Sequence, residues 1–178
     1  MKISDETLVM KVLQGDTEAF AQIVDRYNVQ VYNLMYRYSG SPEDAADMTQ
    51  EVFCRIFERL NRYQRRNHFF SWSYTLALNY AKDWSRKKRN RRRTLAEFSL
   101  EAGNNQAGSA HRPMEEGRKT ASLNAALETL PDDRREMVLL RYRHERSIKE
   151  LAEIFDLSES AVKMRLHRAL EDLRAKMK

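Results

Sequence analysis

What most constrains this chain is where its glycines and prolines fall. Of five glycines and three prolines in 178 residues, Gly103, Gly108, Gly117 and Pro113 all lie in one stretch, "EAGNNQAGSAHRPMEEG". That stretch lacks apolar periodicity and has the Asn/Gly/Ser content of a flexible connector. It separates two blocks, roughly ninety and sixty residues long, each with helical patterning of its own. The expected division is residues 1–94, a linker over 95–120, and residues 121–178.

Helix start and stop signals fill both blocks. Ser4 is placed to cap "DETLVMKVLQ", with Gly15 as the stop, and Asp16 to cap "TEAFAQIVDRYNVQVYNLMYRYS", which ends near Gly40. Ser41, Pro42, Glu43 and Asp44 supply a cap, an N1 proline and an acidic first turn for a helix reaching about Leu60. A fourth helix is expected from about Phe69 to Arg92. Beyond the linker, Pro131 separates "SLNAALETL" from "DDRREMVLLRYR", Ser147 and Glu150 have capping-box spacing, and Ser158 caps the last helix. The expected fold is all-α, with a four-helix N-terminal domain and a C-terminal helix-turn-helix domain joined by a flexible linker.

Charge is concentrated rather than spread. The chain carries 32 Lys and Arg against 26 Asp and Glu, and seven of the basic residues occupy Arg86 to Arg93. Without that run the rest is close to neutral. One basic block on a neutral body points to a polyanion, nucleic acid being the commoner case and an acidic membrane surface the other. Cys54 is the only cysteine, which excludes an intrachain disulfide and favours a reducing cytoplasm. His68, His111, His144 and His167 have no ligand-like spacing, so neither a metal site nor a cofactor is expected. The N-terminus is acidic where a signal peptide would be apolar, and no run of about 18 apolar residues occurs, so membrane insertion is not expected. With no Gly-rich phosphate loop and no Ser/His/Asp grouping on a recognisable elbow, an enzyme is not expected either.

Three segments carry binding chemistry. "SIKELAEIFDLSESAVKMRLHRALEDLR" turns Ile148, Leu151, Ala152 and Phe155, then Val162, Leu166, Leu170 and Leu173, inward around a tight turn at Asp156-Leu157-Ser158. That is a helix-turn-helix pattern, or otherwise a plain helical hairpin. Its second helix presents Ser160, Lys163, Met164, His167 and Arg168 outward, where a recognition helix meets base edges and phosphates. In "SPEDAADMTQEVFCRIFERL", Asp44, Asp47 and Glu51 share one face with Gln50 beside them, opposite Val52, Phe53, Ile56, Phe57 and Leu60. This face is either ordinary solvated surface or a docking stripe for a basic partner. Finally, Tyr63, Phe69, Phe70, Trp72, Tyr74, Tyr80 and Trp84 are interleaved with Arg62, Arg65, Arg66 and Lys82 ahead of the basic run, a mixture suited to unstacked bases. Trp72 is expected in the core, and Asn61 to Phe70 at the contact surface.

Together, "DAADMTQEVFCRIF", "FFSWSYTLALNYAKDWSRKKRNR" and "LPDDRREMVLLRYRHERSIKELAEIFDLSESAVKMRLHRALEDLR" resemble an extracytoplasmic-function (ECF) sigma factor of bacterial RNA polymerase. "GDTEAFAQIVDRYNVQVYNLMYRYSG" is similar to the family's opening helices. The resemblance implies sigma region 2 in the first block and sigma region 4 in the second. It implies that Asp44, Asp47, Gln50 and Glu51 dock on the coiled coil of the polymerase β′ subunit. It places Arg62, Tyr63, Arg65, Arg66, Phe69, Phe70, Asn79, Asp83, Arg86 and Lys87 at the minus-ten promoter element, and Ser160, Lys163, Met164, His167 and Arg168 at the minus-thirty-five element. An anti-sigma factor is a further partner that the family implies. Four features depart from the usual pattern: the minus-ten loop "RYQRRNHFFSW" is more basic than the small, polar and acidic stretch usual there, "SYTLALN" replaces the common "LYRIARN", Asp156 stands where the turn often has Gly, and "YRHERSIKE" lacks the Gly often found before the helix-turn-helix. The rival reading is a stand-alone helix-turn-helix regulator with no sigma-type docking on polymerase.

Overall fold

The computed structural model describes residues 3–64, 68–98 and 118–177. Among them are eight α-helices, one 3-10 turn and no strand. The chain divides into two compact units, Met1–His111 and Arg112–Lys178.

The first unit is built from α1 (Asp5–Leu13), α2 (Glu18–Ser39), α3 (Pro42–Glu58), a 3-10 turn (Leu60–Arg62) and α4 (Phe69–Phe98). Local chemistry sets the boundaries. The Ser4 hydroxyl accepts from the Thr7 amide at 3.3 Å, and the Ser41 hydroxyl from the Asp44 amide at 3.2 Å. Asp16 receives the Ala19 amide at 3.2 Å, so it satisfies one of α2's orphan donors. Gly40 ends α2 in the left-handed region (φ +70°), donating its amide to the Tyr36 carbonyl at 2.9 Å. Across the helices, Asp5 of α1 is held by both Arg26 and Tyr27 of α2.

Leu8, Ile23, Leu34, Met35, Ile56, Leu60, Phe69, Tyr74 and Leu78 are almost wholly enclosed between these helices. Each such side chain contributes about 1.5–3 kcal/mol relative to exposure. Two expectations are corrected. Phe57 is 43% exposed rather than turned inward, resting edge-on against Phe20 at 5.0 Å between ring centroids. Trp72 is half-buried, because the inward line of α4 runs through Phe70, Tyr74, Ala77 and Ala81, leaving Trp72 on the flank against Tyr63 and Phe69.

Helix α4 continues through residues 95–98, which the sequence assigns to the linker; residues 99–117 of that linker lie outside the described residues. The second unit holds α5 (Arg118–Glu128), α6 (Asp132–Tyr142), α7 (Ile148–Phe155) and α8 (Glu159–Lys176). Ser147 and Glu150 form a reciprocal capping box: the Glu150 amide donates to the Ser147 hydroxyl at 3.1 Å, and the Ser147 amide to the Glu150 carboxylate at 2.9 Å. Burial works to raise the Glu150 carboxyl, but the Ser147 hydrogen bonds and the Arg146 guanidinium outweigh it and hold the group below the usual carboxylate range. A lowered folded value stabilises above the unfolded one, so the contribution is complete at neutral pH and disappears as pH falls through the lowered value.

Leu151, Ile154, Val162, Leu166, Ala169 and Leu173 close the helix-turn-helix core with Met137 and Leu140. Ile154 takes the buried place expected of Phe155, which is half-buried along with Ile148, Ala152 and Leu170. Asp156 and Glu145 both adopt left-handed backbone, at φ 51° and 53°. Asp156 is where the turn often has Gly, and Glu145 lies within the stretch "YRHERSIKE" that lacks one. A non-Gly residue there costs about 1–2 kcal/mol, offset by the roughly 0.5–1 kcal/mol that Gly loses in chain entropy. Glu145→Gly is therefore expected to stabilise the second unit by about 0.5–1 kcal/mol, and Asp156→Gly by less, because Asp visits this region more readily. Both tryptophans, Trp72 and Trp84, lie in the first unit, so urea unfolding of the second should be followed by far-UV circular dichroism.

Candidate nucleic-acid interface

The outer face of α3 carries the acidic stripe, with Asp44 half-buried and Asp47, Gln50 and Glu51 exposed. Its members are not equivalent. Arg55 donates to Glu51 at 2.7 Å, and its guanidinium lies 4.6 Å above the Tyr80 ring of α4. Lys88 of α4 donates to Asp44 at 3.3 Å and to the Ser39 carbonyl at 3.2 Å, with its ammonium 4.4 Å from the Trp84 ring centroid. Asp47 and Gln50 have no ion pair or hydrogen bond among the described residues. Burial raises the Tyr80 hydroxyl, and Glu51 and Asp47 push it further up against the opposing pull of Arg55.

Beside the stripe, α2 and α3 enclose an apolar groove of about 620 Å³ lined by Phe20, Val24, Tyr32, Phe53 and Phe57, with Gln50 at its polar edge. Sequence reasoning missed this groove. Its signal is Phe57, which the helical wheel assigns to the core although the wall opposite is incomplete.

The aromatic and basic segment separates into three kinds of residue. Arg62 is exposed, and Tyr63 is half-buried with its ring 5.4 Å from Phe69 and 5.5 Å from Trp72. Arg65 and Arg66 lie outside the described residues. Phe69 and Phe70 are 1% and 3% exposed, packed against Tyr27 at 6.2 and 5.4 Å. This corrects the expectation that they face DNA: rings enclosed in the core offer no face for a base. On α4, Asn79, Asp83, Arg86 and Lys87 are exposed. Residues 79, 83, 86, 90 and 93 fall on one side at about 100° per residue, and Arg86 reaches Asp83 at 2.9 Å in an exposed pair. Such a pair is worth little and is readily exchanged.

On α8, Ser160, Lys163, Met164, His167 and Arg168 are all exposed. The Ser158 hydroxyl accepts from the Ala161 amide at 3.2 Å, fixing the start of the helix. His167 and Glu171 pair at 3.3 Å on the surface. The expected readers therefore form one continuous face, with Met164 53% exposed at its centre. Among the described residues no His/Cys/Asp/Glu cluster has metal-site geometry, and no helix is long and apolar enough to cross a membrane.

Comparison with known proteins identifies the chain. Residues 23–91 match Sigma-70 region 2 and residues 120–173 match Sigma-70, region 4. The ECF RNA polymerase sigma factor SigW of Bacillus subtilis (strain 168) is 30% identical over 188 residues, spanning 100% of this chain and 99% of SigW. The ECF RNA polymerase sigma-E factor of Escherichia coli (strain K12) is 31% identical over 179 residues, 96% of this chain and 92% of its own length. In fold, the chain is similar to CnrH in complex with the cytosolic domain of CnrY (TM-score 0.69, 24% identity, 96% of this chain and 95% of that one). It is also similar to RpoE in complex with the anti-sigma factor NepR from Bartonella quintana (TM-score 0.67, 18% identity, 89% and 96%). Both regions in order on one chain, with full-length likeness to ECF factors, disfavour a stand-alone regulator. This chain belongs to the ECF sigma factors, which direct core RNA polymerase to specific promoters and help initiate transcription there by promoter recognition and melting.

Proposed function

We propose that the two units divide promoter recognition between them, with residues 1–94 serving core polymerase and the minus-ten element, 95–120 acting as a tether, and 121–178 serving the minus-thirty-five element. The observation that carries this reading is the sorting of charge: acid on the outer face of α3, base on α4 beyond Ala81, base on the leading half of α8. Asp44, Asp47, Gln50 and Glu51 dock on the β′ coiled coil. Asp47 and Gln50 are the members ready for a partner, Glu51 must first release Arg55, and Asp44 offers its second carboxylate oxygen while Lys88 keeps Oδ2. Arg62, Tyr63, Arg65 and Arg66, with Asn79, Asp83, Arg86 and Lys87, hold the opened minus-ten strand on a frame that contains Phe69 and Phe70. Ser160, Lys163, Met164, His167 and Arg168 meet the minus-thirty-five duplex.

Binding alone accounts for melting, so no catalytic step is assigned to these residues. Opening costs stacking of about 1.4 kcal/mol per step, which capture of stacked bases at about 1–3 kcal/mol each can offset. Two weak DNA-binding units gain when polymerase fixes both on one promoter, and their Lys and Arg contacts make the result strongly salt-dependent. The site of action is the cytoplasm. CnrH and RpoE occur in their structures with CnrY and the anti-sigma factor NepR, which supports an anti-sigma partner here, held against the surface of α3 that polymerase uses.

In-vitro transcription with core polymerase tests the reading. Promoter-specific initiation should require the protein. Lys163→Ala with Arg168→Ala should lower use of a promoter dependent on the minus-thirty-five element by about 30-fold or more, since each lost base contact costs about 1–3 kcal/mol and about 1.4 kcal/mol is a factor of ten. Binding of that double variant to core polymerase should stay unchanged. Equal use of all promoters by the variant would sink the assignment of α8, and initiation independent of the protein would sink the whole reading.

A further inference from the structure

Lys88 belongs by sequence to the basic run, but the structure gives it different surroundings from its neighbours. Arg86, Lys87, Arg89, Arg91 and Arg93 are exposed, whereas the Lys88 side chain is 34% exposed and turned back onto the protein. The phase of the helix is the cause. Residues 70, 74, 77 and 81 form the buried line of α4, and position 88 continues it about two turns further on. Ala81 is the last buried side chain on α4 among those described. Past it, Lys88 reaches the Ser39 carbonyl at the end of α2 and Asp44 in the first turn of α3, while covering the Trp84 ring. One ammonium thereby ties α4 to α2 and α3 at the level of Arg86 and Lys87.

We infer that Lys88 is a positioning residue for promoter opening: it fixes the direction in which α4 presents Arg86 and Lys87, and does not itself grip DNA. This rests on the proposed role of α4 at the minus-ten element. A cation over an indole and against a carboxylate, part-shielded from water, is held more firmly than an exposed pair. Its charge is also already matched by Asp44, so it adds little to the field that a phosphate meets.

The test uses full-length protein with core polymerase. For Lys88→Met, affinity for core polymerase should stay within about twofold of wild type, and opening of the minus-ten element, read by permanganate reactivity at saturating polymerase, should fall about tenfold. The log–log salt slope of promoter binding should be unchanged, and amide exchange over 86–91 in the free protein should be about tenfold faster. Lys88→Arg should restore opening, since a guanidinium can donate to the same carbonyl and carboxylate. A direct phosphate contact would instead lower the salt slope by about 0.7–0.9 per charge removed and leave amide exchange alone. That result, or normal opening by Lys88→Met, overturns the inference. If Lys88→Met lowers overall stability, Lys88→Gln, which keeps a donor for the Ser39 carbonyl, should open promoters better than Met in proportion to its slower exchange; equal loss in both variants overturns it. Failure of the wild-type protein to open the element counts against the role of α4, whereas normal opening by wild type and variant alike counts against Lys88 only.

Discussion

Asp47→Lys is expected to leave the protein folded and to weaken its binding to core polymerase by about 100-fold or more. The first half follows from surroundings: Asp47 is exposed and has no hydrogen bond or ion pair among the described residues. A surface change of that kind usually moves stability by no more than about 0.5 kcal/mol. The second half follows from charge. Loss of one partner from a desolvated interfacial ion pair costs about 2–5 kcal/mol, reversal adds repulsion, and about 1.4 kcal/mol is a factor of ten. Glu51→Lys is a less clean probe, because it also strands Arg55 above Tyr80. Fluorescence anisotropy of labelled protein titrated with core polymerase measures the affinity, and a matched melting curve checks the fold. Unimpaired binding by a folded Asp47→Lys protein would remove α3 from the docking surface.

Neutralising Arg86 and Lys87 together is expected to cut minus-ten opening by about 10- to 100-fold, on the basis of about 1–3 kcal/mol for a lost base contact. Neutralising Arg91 and Arg93 together should act mainly through salt, lowering the slope of log affinity by about 0.7 per charge on a single strand. The distinction comes from position: Arg86 and Lys87 lie close to the end of the buried line of α4, where the helix is anchored, and the later arginines lie beyond Lys88. Arg86 must release Asp83 to reach DNA, but their pair is solvent-exposed and cheap to exchange. Permanganate footprints across a salt series separate the two effects. Equal loss of opening in both double variants would undo the division of the run.

The helices were legible because their ends are set by chemistry local to the chain. Ser4, Ser41, Ser147 and Ser158 each accept the amide that their spacing predicts. Asp156 turns the corner in left-handed backbone as its place in the motif requires. The outward face of α8 was legible for a similar reason, since one periodic apolar stripe determines what remains outside. What depends on neighbouring helices was not legible. Phe69 and Phe70 read as a contact surface because they adjoin a polar, basic loop, yet Tyr27 of α2 receives them both. Phe57 reads as core, but the opposing wall stops at Phe20. Lys88 reads as one of seven equal charges until the phase of α4 sets it apart. In each case the residue type was informative and the partner lay on another helix.

Helix α4 is 30 residues long but has no buried side chain described past Ala81, so its far part is a lever rooted in the core. From Ala81 to Arg93 the arm is about 18 Å at 1.5 Å per residue, and a tilt of about 10° at the root would displace its end by roughly 3 Å. That is the span of a hydrogen bond. Ala77 and Ala81, each 0% exposed, are therefore positions where a single added side chain would misdirect a distant charge without touching it. Such mutants would keep every charge of the basic run and lose aim, at a cost to the core of about 1–3 kcal/mol.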